Sequence, residues 1–226
     1  MSTPRDGCAV AVVGDSIYAF GGKDQDDQKL SSAERYSISR DSWSGLRDMR
    51  YARDGHFAAV MDDKIYIMGD FLGFRAVEVY DTSARRWKSA GSVPATPVKL
   101  FLAAAVTVED RFLIVVGGEG RIDRDGASCL IYDKDKNEWL EGDAQDDDQY
   151  YDLQMSTSRG LHSAVVLGGD RHPRIVVAGG RDERGHRLKS VESVAAMDLL
   201  ELSGAMNDDE DDEDIVVDLN RCRRRR

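Results

Sequence analysis

Cysteine is scarce in this chain of 226 residues, and its few copies exclude a good deal. Cys8, Cys129 and Cys222 are odd in number and far apart, with no Cys-x-x-Cys pair. Neither a disulfide framework nor a zinc site is expected, and a reducing compartment fits best, the cytoplasm first and the nucleus as the alternative. Long apolar runs are missing too. No stretch approaches the length of a membrane span, and the first apolar piece, Cys8–Val13, stops at Gly14-Asp15, too short for the core of a secretory signal. There is no Asn-x-Ser/Thr sequon, no Gly-x-Ser-x-Gly, no His-Glu-x-x-His, no phosphate-cradling loop and no Gly-x-Gly-x-x-Gly ahead of a helix. No membrane, no cofactor and no catalysis are expected.

Net positive charge is absent as well. The chain carries 42 acids against 31 bases, a net of −11. Residues 207–226 hold eight of the acids and five arginines, so the body alone keeps a net of −8. A body of that sign repels a polyanion, and nucleic acid is not an expected partner.

What is present is repetition. Asp15-Ser16-Ile17-Tyr18-Ala19-Phe20 runs into Gly21-Gly22. The same pattern returns as Lys64–Met68 with Gly69-Asp70, Phe112–Val116 with Gly117-Gly118, and Ile175–Ala178 with Gly179-Gly180. Gly21 to Gly69 and Gly69 to Gly117 are both 48 residues. Tyr36, Tyr80 and Tyr132 drift in step with Trp43, Trp87 and Trp139, by 44 and then 52 residues. Such recurrence means one supersecondary unit stacked several times. Each unit reads as four short strands. In unit one these are Gly7–Val13, Ser16–Phe20, Ala33–Ser37 and a strand opening at Ser42-Trp43, with turn signals at Gly14-Asp15 and Arg40-Asp41. Units two and three repeat this as Phe57–Met61, Lys64–Met68, Val77–Asp81, Trp87, and as Ala103–Val108, Phe112–Val116, Leu130–Asp133, Trp139. Unit four gives Ser163–Leu167, Arg174–Ala178 and Val191–Val194, but no tryptophan. The second strands are apolar on both sides, which is right only if both faces of a small sheet are covered by neighbouring sheets.

Leading arginines, paired glycines, then tyrosine and tryptophan at set distances resemble the kelch repeat over about residues 5–200. The resemblance implies an all-β, kelch-type β-propeller of about four four-stranded antiparallel blades. The propeller would span 1–206, in units of about 5–49, 53–92, 98–145 and 159–200. Residues 207–226 would form an acidic, then arginine-rich tail, with a last strand at 215–219. Kelch propellers usually have more blades. A truncated chain, a four-blade ring and a ring completed by a second copy all stay open. Three departures stand out: Asp70 in place of a second glycine, Phe101 where unit three should carry its arginine, and the missing fourth tryptophan.

The resemblance also implies a function. In kelch adaptors, arginines at the leading position lie near the channel mouth and grip acidic peptides, and here those are Arg5, Arg53 and Arg159. Against this stands the reading that they pair with neighbouring acids and fix the blade ends. The expected function is a non-catalytic protein–protein interaction scaffold that binds a protein partner through propeller loops. An acidic peptide is the expected ligand, and a ubiquitin-ligase link follows by family likeness alone. The alternative is a fragment of a propeller enzyme, a copper oxidase or a sugar-modifying enzyme. His56 and His162, each three residues after an arginine, are read as structural rather than as a metal pair. Asp133–Asn137 imitates the start of a calcium loop but lacks its glycine and its closing glutamate, and is read as a turn. The acidic stretch Asp208–Glu213 would then fold back over the arginine-bearing mouth and compete with acidic ligands.

Overall fold

The computed structural model describes residues 1–118, 129–140, 155–168 and 172–202. The tail, its expected strand at 215–219, Cys222 and the acidic segment around Asp146–Asp148 lie outside the described residues.

The fold is an all-β propeller of four blades, each antiparallel with strands in chain order. Blade one is β1 (Ala9–Val13), β2 (Ser16–Phe20), β3 (Ala33–Ser37) and β4 (Ser42–Gly45). Blade two is β5 (Phe57–Met61), β6 (Lys64–Met68), β7 (Glu78–Asp81) and β8 (Arg86–Trp87). Blade three is β9 (Ala104–Val108), β10 (Phe112–Val116), β11 (Cys129–Asp133) and β12 (Glu138–Leu140). Blade four is β13 (Ser163–Leu167), β14 (Arg174–Ala178) and β15 (Val191–Ala195).

One expectation is corrected. The first strand begins at Ala9 rather than Gly7, because Gly7 sits at φ +63° and cannot join the ladder. Blade four shows three strands among the described residues, its expected fourth at 215–219 lying outside them. The chain turns from β15 directly into helix α1 (Ala196–Leu202), a run of strong helix formers with Asp198 in its first turn.

Tight acidic hairpins end the first pair of strands in blades two and three. Asp62-Asp63 is a two-residue turn and Glu109-Asp110-Arg111 a three-residue one, and both acidic pairs have positive φ, which matches the twist of the flanking strands. Long loops gather at the opposite end, where the paired glycines stand.

Three apolar cores hold the blades side by side. The first joins Ala11, Tyr18 and Phe20 to Ile65, Ile67 and Tyr80 of blade two. The second joins Phe57, Tyr66 and Met68 to Leu113, Val115 and Tyr132 of blade three. The third joins Phe112, Ile114 and Ile131 to Ile175 and Val177 of blade four. Each fully buried large side chain contributes on the order of 1.5–3 kcal/mol. Trp87 and Trp139 pack on the core shared with the preceding blade, and each donates its indole N–H across the junction, to Arg47 O at 2.8 Å and Pro94 O at 3.1 Å. Blade four has no tryptophan, and Leu199 and Leu200 of α1 enter the corresponding core instead. Val194 takes the tyrosine position, opposite Ile175 as Tyr80 is opposite Ile65.

The inner strands β1, β5, β9 and β13 follow one another in that order and line a cavity of about 300 Å³. Among the described residues, no apolar core and no backbone hydrogen bond joins blade four to blade one.

Candidate partner-binding face

The loop face is built on the paired glycines. Gly21 and Gly117 have left-handed φ, and a Cβ on either would come within 2.8 Å of the histidine ring of the next blade. The second position donates its N–H to the next blade: Gly22 to Arg53 O at 2.8 Å, Asp70 to Leu100 O and Gly118 to Arg159 O at 3.0 Å. Leu100, not Phe101, therefore stands where unit three should carry its arginine. The turn between β9 and β10 is one residue longer than those of blades one and two, which sets the position back to Leu100, and the left-handed residues agree: Gly7, Gly55, Leu102 and Leu161 are equivalent, all with φ between 54° and 65°.

The three leading arginines are turned inward. Arg5 donates to Gly21 O and Ser32 O, both at 2.9 Å, and to Glu34 at 3.0 Å. Arg53 donates to Gly69 O at 2.8 Å, Ala76 O at 2.7 Å and Glu78 at 3.0 Å. Arg159 meets Gly179 O, Ser190 O and Glu192 in the same way. All three guanidinium side chains are wholly buried. They fasten the glycine turn of their own blade to its third strand, which is the blade-end role weighed above. Burial works against the Glu34 carboxylate, but the Ser2 N–H, Arg5 and the Ser2 hydroxyl outweigh it and hold the group down at about 2. Blade three replaces both partners together. Its arginine position is Leu100, and the glutamate position, opposite Val115, is Leu130.

His56 and His162 serve separate junctions. The Nε2–H of His56 donates to Phe20 O at 2.9 Å, and that of His162 to Val116 O at 3.0 Å, while the Nδ1 atoms are buried without partners. Burial, then the Arg53 charge, pushes His56 down to about 4, and burial lowers His162 as well. Both are neutral staples. Among the described residues no three His, Cys, Asp or Glu side chains are grouped to hold a metal ion. Asp133 is buried against Arg111 at 2.6 Å and accepts from the Asp135 N–H, a turn fastening as read from the sequence.

Asp70 is a clamp. Its wholly buried carboxylate accepts from Lys29 of blade one at 2.9 Å, from the Asp54 N–H at 3.0 Å and from the Leu72 N–H at 2.6 Å. Unlike Gly22 and Gly118, it does not take positive φ, so a side chain is admissible there.

What the clamp presents was not foreseen. Phe71 and Leu72, at 62% and 65% exposure, lead the following loop. Phe71 touches Phe101 with ring centroids 5.4 Å apart, and Phe74 touches Tyr51 at 5.3 Å. Leu161 is exposed beside them, its N–H bonded to Leu102 O at 2.9 Å. Exposed Arg50, Arg75 and Lys99 border this patch. Arg50 lies over the Tyr51 ring, Arg75 is anchored on Thr96 O, and the Lys99 stem lies against Gly73. A signal was available: Phe71-Leu72 occupies a loop slot that unit one fills with Lys23–Leu30, rich in aspartate.

A family model described as the KLHDC2/KLHL20/DRC7 kelch-repeats domain matches residues 1–180. Kelch-like protein 38 of Rattus norvegicus is 28% identical over 169 residues, 73% of this chain and 25% of that protein. Alpha-scruin of Limulus polyphemus is 25% identical over 219 residues, 88% of this chain and 22% of its own length. An F-box/kelch-repeat protein of Arabidopsis thaliana is 33% identical over 84 residues, 35% of this chain and 22% of that protein. The chain thus spans about a quarter of the length of these relatives.

Proposed function

The chain belongs to the kelch-repeat family, and from that premise we propose that it is a non-catalytic module that binds another protein through the loop face of blades two and three. The observation that carries this reading is the apolar patch of exposed Phe71, Leu72 and Phe74 with half-buried Phe101, rimmed by Arg50, Arg75 and Lys99, on a chain that is otherwise acidic. Apolar anchors at the centre of a patch supply most binding energy, and a basic rim selects and steers the partner. The ligand is an acidic peptide segment with at least one large apolar side chain. This transfers the acidic-peptide reading from Arg5, Arg53 and Arg159, whose donors are engaged inside the blades, to cations that face outward. An adaptor role, including service to a ubiquitin ligase, and residence in the cytoplasm belong to the same reading by family likeness.

The test is a display library of acidic peptides, each with one Phe or Leu, probed with the wild-type chain and with two variants, F71S/L72S and R50E/R75E/K99E. The altered side chains are at the surface, so circular dichroism should be unchanged. Selective capture of acidic apolar peptides, weakened at least tenfold in both variants, is the expected result. Equal capture by all three proteins would refute the patch.

A further inference from the structure

Each blade junction is assembled from the same parts in the same register, and the series continues past both ends. Along the inner ring, Gly55 donates to Gly7 O at 3.2 Å, Leu102 to Gly55 O at 2.9 Å and Leu161 to Leu102 O at 2.9 Å. The next link would need a carbonyl from Leu161 and an N–H from Gly7, and neither atom has a backbone partner among the described residues. The glycine links run Gly22 to Arg53, Asp70 to Leu100 and Gly118 to Arg159, which leaves the N–H of Gly180 and the carbonyl of Arg5. The two ends therefore hold donors and acceptors that match.

The apolar faces match in the same way. At the first junction Ala11 and Val13 share a core with Ala58 and Val60. At the third, Val106 and Val108 share one with Ala164 and Val166. Counting by register, the next such set is Val165 and Leu167 of β13 with Val10 and Val12 of β1. These four side chains are 49%, 55%, 54% and 58% exposed. Val191 is exposed on the same face as the first pair.

We propose that the chain associates head to tail with a second copy of itself, the Val165/Leu167 face of blade four seated on the Val10/Val12 face of blade one. The junction continues an interface already made three times within the chain. Because the two faces differ, the contact is heterologous, closing as a pair if the rotation allows and extending as a chain if it does not. This inference does not depend on the partner-binding patch.

Two variants of the full chain test it. V10E/V12E spoils only the blade-one face, and V165E/L167E only the blade-four face. By sedimentation equilibrium the wild type should have at least twice the chain mass at micromolar concentration, and each variant alone should be monomeric. An equimolar mixture of the two should recover a heterodimer, because one intact face of each kind remains. F71S/L72S should associate like the wild type. A wild-type chain monomeric up to about 100 µM would leave the faces to some other partner and overturn the proposal. So would variants that still self-associate alone, or a mixture that fails to pair.

Discussion

Blades two and three share a frame and fill one buried position in opposite ways. Blade two places Arg53 there, sealed against Glu78 and two carbonyls, whereas blade three places Leu100, with Leu130 on the facing strand, both in the core shared with blade two. Both blades form the same four-stranded sheet with the same glycine turn. The ion pair is therefore one of two workable fillings rather than a requirement of the fold. What it requires is completeness, since a buried charge tolerates a partner or an apolar replacement of the whole pair, but not half of either.

That comparison is most sharply broken by Arg53→Leu. It leaves Glu78 and the carbonyls of Gly69 and Ala76 without their donor, and should cost about 3–5 kcal/mol in urea unfolding. Adding Glu78→Leu to the same chain grafts in the filling of blade three. The double variant should be the more stable of the two, with a coupling energy of at least about 2 kcal/mol. A double variant no better than R53L would mean that the carbonyls, not the charge, dominate.

Acid tests the junctions on either side. His56 titrates near 4 when folded and near 6.5 when unfolded, so the unfolded chain binds the extra proton between those values. Its stabilisation is complete above pH 6.5 and is lost progressively as pH falls to 4, about 3 kcal/mol in all. Glu34, held at about 2 from an ordinary 4.5, adds a second loss below pH 4.5. Blade three has Ala103 in the histidine position, so His56→Gln should flatten the upper part of the profile while leaving the lower part, as read by thermal melts from pH 7 to 3. The smallest effect belongs to Asp70→Gly, which restores the family residue but removes three accepted hydrogen bonds. It should cost about 1–3 kcal/mol and loosen Phe71-Leu72, so peptide capture should weaken more than the melting temperature drops.

Much of this frame was legible in the residues. Strands such as Ser16–Phe20, Lys64–Met68 and Phe112–Val116 coincide with the sequence reading, because a glycine ends each one and the repeat fixes the rest. The extra residue in the β9–β10 turn was not legible. Counting back from the glycines by the spacing of the other units lands on Phe101, and only the backbone hydrogen bonds choose Leu100. The blade-end role of the arginines was among the readings weighed, but their partners were not named. The carboxylates lie 25 to 33 residues away, although Glu34, Glu78 and Glu192 recur only in the units that carry an arginine. The apolar patch escaped because loops were read as charged. Helix α1 escaped because its seven residues are too few to show a helical period, and nothing was read between Val194 and the acidic run.

The tryptophan links have a direction. Trp87 and Trp139 each bond to a carbonyl that precedes them by 40 and 45 residues, in the blade already made. A chain leaving the ribosome thus finds, for the second and third sheets, a finished surface to dock on, and neither waits for residues still to be synthesised before it gains its anchor. Assembly by accretion from the amino end follows, with each step cheaper in loop entropy than a closure that must join distant termini.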